Sequence, residues 1–134
     1  MKKLFPYIIL TIISVGCDRG ERPHREAKLI SYSHSDTCVS SKGRAADVEI
    51  IINGLQITVV HKDAQFNCCA DSAIVKLVQE DTVIKIFEEE VTPDPCRCVC
   101  TFEVSSVIEV NRPGTYILEI YTNEWLVYRK RIRV

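Results

Sequence analysis

Several residue patterns that mark common enzymes or membrane-spanning proteins are missing from this 134-residue chain. Its 5 glycines are scattered and form no glycine-rich loop that could hold a phosphate group. The chain has no Cys-x-x-Cys pair, which is the usual spacing of zinc knuckles, and its 3 histidines stand in no nucleophile signature. No apolar run reaches the roughly 20 residues that a membrane-spanning helix needs. We therefore expect neither an enzyme nor a transmembrane protein.

The chain also lacks the spacing of an amphipathic helix, in which every third or fourth residue is apolar. Apolar and β-branched residues alternate with polar ones instead, and this pattern predicts strands. Asn53-Gly54 and Glu80-Asp81 separate such runs and predict tight hairpin turns. The predicted strands cover residues 28–34, 48–52, 55–59, 73–78, 83–91, 99–110, 116–120 and 125–134.

Seven or eight short strands predict an all-β domain, a two-sheet antiparallel β-sandwich that covers residues 27–134. The segment from Arg112 through Pro113 and Gly114 to Tyr116, followed by alternating apolar residues, resembles the late hairpin of immunoglobulin-like domains in bacterial surface proteins. This resemblance implies an immunoglobulin-like sandwich.

The first residues have the layout of an export signal. Lys2 and Lys3 precede a short apolar run, and the charged Asp18 follows soon after it. A positive head, a short apolar middle and a small-residue exit are typical of a secretory signal peptide. We expect residues 1–16 to be removed and residues 17–26 to form a polar tether.

The exit sequence Ser14-Val15-Gly16-Cys17 resembles the lipobox of bacterial lipoproteins. The resemblance implies cleavage before Cys17 and a diacylglycerol, with palmitate-type chains, on its thiol. Several acyl chains would hold a soluble domain at a bilayer. The alternative is a plain signal peptide with an unmodified Cys17.

The charge balance argues against nucleic acid as a partner. Loss of Lys2 and Lys3 leaves 15 basic residues against 18 acidic ones, a net charge of −3, whereas nucleic-acid binding favours a clustered positive face. A basic cluster does occur near the C-terminus, and we expect it to be an exposed strand face. Its members are Arg129, Lys130, Arg131 and Arg133.

Apart from Cys17, the chain has six cysteines, an even number that favours disulfides in an exported protein. Cys98 and Cys100 are expected to share the core-facing side of a strand and to lie too far apart to pair with each other. Each is expected to reach Cys68 or Cys69. The remaining candidates for a bridge are Cys38 and Cys96.

Two other states of these thiols stay open. Cys68, Cys69, Cys98 and Cys100 could bind Zn²⁺ or Cu(I), with His61 or Asp71 as a further ligand. Alternatively, the cysteines are free and buried, and pack as small apolar side chains.

Other polar and aromatic side chains are expected to be structural. The run Glu88–Glu90 is interpreted as a solvated strand end, and His61 as a solvated histidine at the end of a strand. Trp125, Tyr121 and Tyr128 are expected to pack in the core or at an edge of the last hairpin.

Together these features predict a non-enzymatic lipoprotein of the bacterial cell envelope. It would face the periplasm or the exterior, carry no cofactor besides the lipid on Cys17, and present a surface to an envelope protein. The alternative is a thiolate metal-binding or thiol-redox protein that uses Cys68, Cys69, Cys96, Cys98 and Cys100.

Overall fold

A computed structural model describes residues 26–36, 38–40 and 45–134. They form eight longer strands and one strand of two residues, and none of them lies in a helix. The described part of the chain therefore contains no helix that could span a membrane. Cys17, the predicted signal segment and residues 18–25 of the predicted tether lie outside it. The strands are β1 (Lys28–His34), β2 (Val39–Ser40), β3 (Val48–Asn53), β4 (Gln56–Asn67), β5 (Ser72–Glu80), β6 (Val83–Val91), β7 (Val99–Glu109), β8 (Thr115–Thr122) and β9 (Trp125–Arg133).

The strands form two sheets, which confirms the predicted β-sandwich. The order in the first sheet is β1-β7-β4-β3, with β2 paired to β7, and the order in the second is β5-β6-β8-β9. Every pair is antiparallel except β6 and β8, which run parallel. After β6 the chain crosses to the first sheet, where it forms β7, and then returns to the second sheet as β8. It reverses direction at each crossing, so β8 runs parallel to β6. The second sheet is thus mixed, not purely antiparallel as expected.

The predicted hairpins form, with small shifts in their turns. The β3–β4 turn uses Gly54 and Leu55 rather than Asn53 and Gly54, and Gly54 has a φ of 60°. A glycine with positive φ at the first of two turn residues suits the right-handed twist of the two strands. In the β8–β9 turn both Asn123 and Glu124 have positive φ.

Alternate residues of the central strands point between the sheets and form the core. Each strand contributes aliphatic side chains at every second position, as the sequence pattern predicted. Burial of each such side chain stabilises the fold by about 1.5–3 kcal/mol. The most completely buried apolar members are Ile57, Ile84, Ile86, Ile108, Leu118 and Ile120. The basic cluster of β9 is exposed, as predicted.

Truncation of Leu118, which is fully buried, should destabilise the domain. We expect Leu118→Ala to lower the free energy of unfolding by about 2–5 kcal/mol, because it removes buried methyl groups and leaves a cavity. Ile51→Ala, at a position that is 50% exposed, should cost less than about 1 kcal/mol. Equal losses in urea unfolding would contradict this assignment of the core.

Candidate functional site

The six cysteines of the described chain form three disulfides. They join Cys38 to Cys100, Cys68 to Cys98, and Cys69 to Cys96, with Cα separations of 5.3, 5.5 and 5.7 Å. These separations lie in the usual range for a bridge. The expected contact between Cys98 and Cys68 is confirmed. The expectation that Cys100 reaches Cys68 or Cys69 is wrong, because Cys38 is its partner.

Cys98 does not face the core as predicted. Strand β7 begins at Val99, so the alternation that buries Cys100 does not extend back to Cys98, which is exposed. Cys98 therefore lies with Cys96 in the loop before β7.

Asn67, at the end of β4, holds the two cysteine-containing loops together. Its amide Nδ2 donates to the carbonyl of Cys96 at 2.7 Å, and its Oδ1 accepts from the backbone N–H groups of Cys69 and Cys96. The backbone N–H of Asn67 donates to the carboxylate of Glu90. These bonds fix the loops in a position that suits the Cys69–Cys96 bridge.

A group of three sulfur atoms, from Cys38, Cys68 and Cys100, lies within 4.8 Å of one another. This group differs from the predicted metal-binding set, since it includes Cys38 and omits Cys69 and Cys98. All three sulfurs belong to disulfides, so they could act as thiolate ligands only after reduction.

The sequence reasoning missed a second polar cluster, which joins the two sheets. His61 of β4 and Glu88 of β6 are each only 2% exposed, so the expectation that both are solvated is wrong. His61 Nδ1 lies 2.7 Å from Glu88 Oε2, and the hydroxyl of Thr122 donates to the same oxygen at 3.1 Å. A carboxylate oxygen only accepts hydrogen bonds, so this arrangement assigns the ring hydrogen of His61 to Nδ1.

A β-bulge directs the side chains next to His61. The register between β4 and β7 shifts between His61 and Ala64, so β4 contains one more residue than its partner over this stretch. His61 and Ala64 both point inward and are buried, although they are three residues apart. Asp63 is thereby held beside the ring, with Oδ1 3.3 Å from His61 Nε2. Bulges often redirect side chains beside functional sites.

Lys62, within the bulge, is directed away from this cluster. Its ammonium group lies 3.0 Å from the carboxylate of Glu49 on β3. The hydrogen bond and the charge of Glu49 raise the pKa of Lys62 above its ordinary value. Lys62 therefore stays charged and takes no part in the His61 contacts.

His61 and Asp63 line a cavity of about 490 Å³. Gln65, Asn123 and Trp125 contribute to its wall together with small and apolar residues. Trp125 is 78% exposed, so the expectation that it packs in the core or at an edge is wrong. Tyr121 instead stacks on Phe87, with 4.9 Å between ring centroids.

Comparisons with protein-family models, curated proteins and solved structures give no significant match for this chain. A functional assignment must therefore come from the geometry of these two clusters.

Removal of the Glu88 carboxylate should destabilise the fold strongly. We expect Glu88→Ala to cost about 1–3 kcal/mol, because it leaves the Nδ1–H group of His61 buried without its acceptor. Thr122→Val removes one hydrogen bond to the carboxylate and should cost about 1–2 kcal/mol. Glu89→Ala is the matched control, since Glu89 forms a surface pair with Lys76 and should change stability by less than about 1 kcal/mol. A loss for Glu88→Ala no larger than for Glu89→Ala, measured by urea unfolding, would contradict the role of the buried pair.

Measurement of the intact mass tests whether the three disulfides form. Purified under non-reducing conditions, the protein should be six hydrogen atoms lighter than its reduced form, two for each bridge. Replacing both Cys38 and Cys100 by Ser should remove one bridge and cost roughly 4 kcal/mol, because that bridge closes the longest loop. Equal masses before and after reduction would contradict the bridges.

Proposed function

We propose that this chain is a non-enzymatic binding module of the bacterial cell envelope, anchored to a membrane by lipid on Cys17. The observation that carries the proposal is the pairing of all six described cysteines in three disulfides. Such bridges persist in oxidising compartments outside the cytoplasm. An export signal before Cys17 would deliver the chain to such a compartment.

A binding role is supported by the exposed apolar surface of the β8–β9 hairpin. Trp125, Leu126 and Val127 follow one another at the start of β9, and the exposed fractions of Leu126 and Val127 are 48% and 38%. Exposed aromatic and aliphatic side chains beside a cavity are typical of protein-binding surfaces. An envelope protein is the partner that fits an exported, membrane-anchored domain.

The hydroxyl geometry in the buried cluster supports a non-enzymatic role. Nucleophilic catalysis needs a hydroxyl or thiol hydrogen-bonded to its base. Thr122 donates instead to Glu88, on the side of the carboxylate that already holds His61. No cysteine is among the described residues that line the cavity containing His61.

A thiolate metal-binding or thiol-redox protein is the second candidate, favoured by the close approach of sulfur atoms from different bridges. Besides the group of Cys38, Cys68 and Cys100, the sulfurs of Cys96 and Cys98 lie 3.7 Å apart. Once reduced, such thiolates would suit Cu(I) or Zn²⁺. Metal binding by these cysteines requires free thiols in the protein as isolated, so the intact-mass measurement above distinguishes it from the first candidate.

The lipid anchor is tested by replacing Cys17. In cells fed labelled palmitate, we expect the wild-type protein to incorporate label and remain in the membrane fraction. Cys17→Ser should carry no label, because the acylated thiol is missing. Asp18→Asn is the matched control and should be labelled like the wild type. An unlabelled wild-type protein, or equal labelling of Cys17→Ser, would contradict the proposal.

A further inference from the structure

We infer that His61 Nε2 and the carboxylate of Asp63 form a binding site for a divalent transition-metal ion of the zinc type, open to the cavity beside Trp125. This site uses none of the cysteines, and it goes beyond the proposed binding module. The inference rests on the orientation of the ring, the separation of the two ligand atoms, and the open space next to them.

Glu88 orients the histidine ring for this role. Because Nδ1 donates to the Glu88 carboxylate, the second ring nitrogen, Nε2, keeps its lone pair on the side of the ring where Asp63 lies. A carboxylate on the far nitrogen is the usual support of a metal-binding histidine, since it fixes the tautomer and makes the ring more basic. Thr122 holds the carboxylate in turn.

The separation of the two ligand atoms suits a shared ion. Nε2 and Asp63 Oδ1 lie 3.3 Å apart. Two ligands at about 2.0–2.1 Å from a tetrahedral zinc ion are about 3.3–3.4 Å apart. The present separation of the two atoms is therefore the one that a shared zinc ion needs. Without a cation, the lone pair of Nε2 and the carboxylate of Asp63 would lie next to each other with no hydrogen between them. Such a contact between two acceptors costs free energy when the groups are partly buried.

Neighbouring groups fix the Asp63 carboxylate, and the cavity leaves space for further ligands of the ion. The backbone N–H of Asp47 donates to Asp63 Oδ1 at 2.7 Å and fixes that carboxylate, and the β-bulge keeps it next to His61. The cavity of about 490 Å³ opens on the same side. With two protein ligands, the ion would take its remaining ligands from water or from a small molecule in this cavity.

A proton on Nε2 would also satisfy the contact with Asp63, in which case the pair is only an ion pair. The two accounts differ in their response to added metal. Isothermal titration calorimetry of Zn²⁺ into the purified, unreduced protein should give saturable binding of one ion. The disulfides keep the cysteines from competing for the metal under these conditions.

Asp63→Asn should weaken zinc binding at least tenfold, while the amide oxygen preserves the acceptor for Asp47 and hence the fold. Glu88→Gln should weaken it by about 10–100-fold through the orientation of the ring. His34→Gln is the matched control, because His34 lines a different cavity, and its affinity should equal that of the wild type.

Trp125 gives a second measurement, since it is the single tryptophan of the chain and lines the cavity. Cu²⁺, which binds such ligands more tightly than zinc, should quench its fluorescence in the wild type but much less in Asp63→Asn. Absence of saturable zinc binding, or equal zinc affinity of the wild type and Asp63→Asn, would overturn the site. These results leave the lipid anchor untouched, so a failure here is distinct from a failure of the proposed function.

Discussion

The contact between His61 and Glu88 is the constraint on which the cavity-bearing end of this sandwich depends. It joins one sheet to the other at a place where both side chains are almost fully withdrawn from water. Burial of a carboxylate is costly unless donors surround it. His61 and Thr122 supply those donors, so the inward-facing rows of β4, β6 and β8 can each include a buried polar residue.

Glu90, two residues further along β6, connects this cluster to the cysteine-containing loops. Its carboxylate accepts from the backbone of Asn67, which holds the Cys96 loop, and from the amide of Asn123 in the β8–β9 turn. The same turn leads into Trp125 at the cavity. The disulfides, the polar cluster and the exposed hairpin are therefore parts of one connected end of the domain.

The two-sheet architecture could be predicted from the sequence because alternation and turn residues are local signals. Disulfide pairing is not local, since Cys100 joins a residue 62 positions away, and this partner could not be derived from spacing. The burial of His61 and Glu88 was visible in principle, because each continues a row of alternate buried aliphatic residues. Ionisable residues are usually exposed, and this general tendency favoured the wrong prediction that His61 and Glu88 are solvated. The bulge that places Asp63 beside His61 has no sequence signature here.

We infer that Glu88 fixes His61 with its hydrogen on Nδ1 and leaves Nε2 available toward the cavity. Long-range proton–nitrogen NMR correlation of the His61 ring, in metal-free protein at mildly alkaline pH, locates this hydrogen. We expect a protonated Nδ1 and an unprotonated Nε2. A hydrogen on Nε2 under these conditions would contradict it.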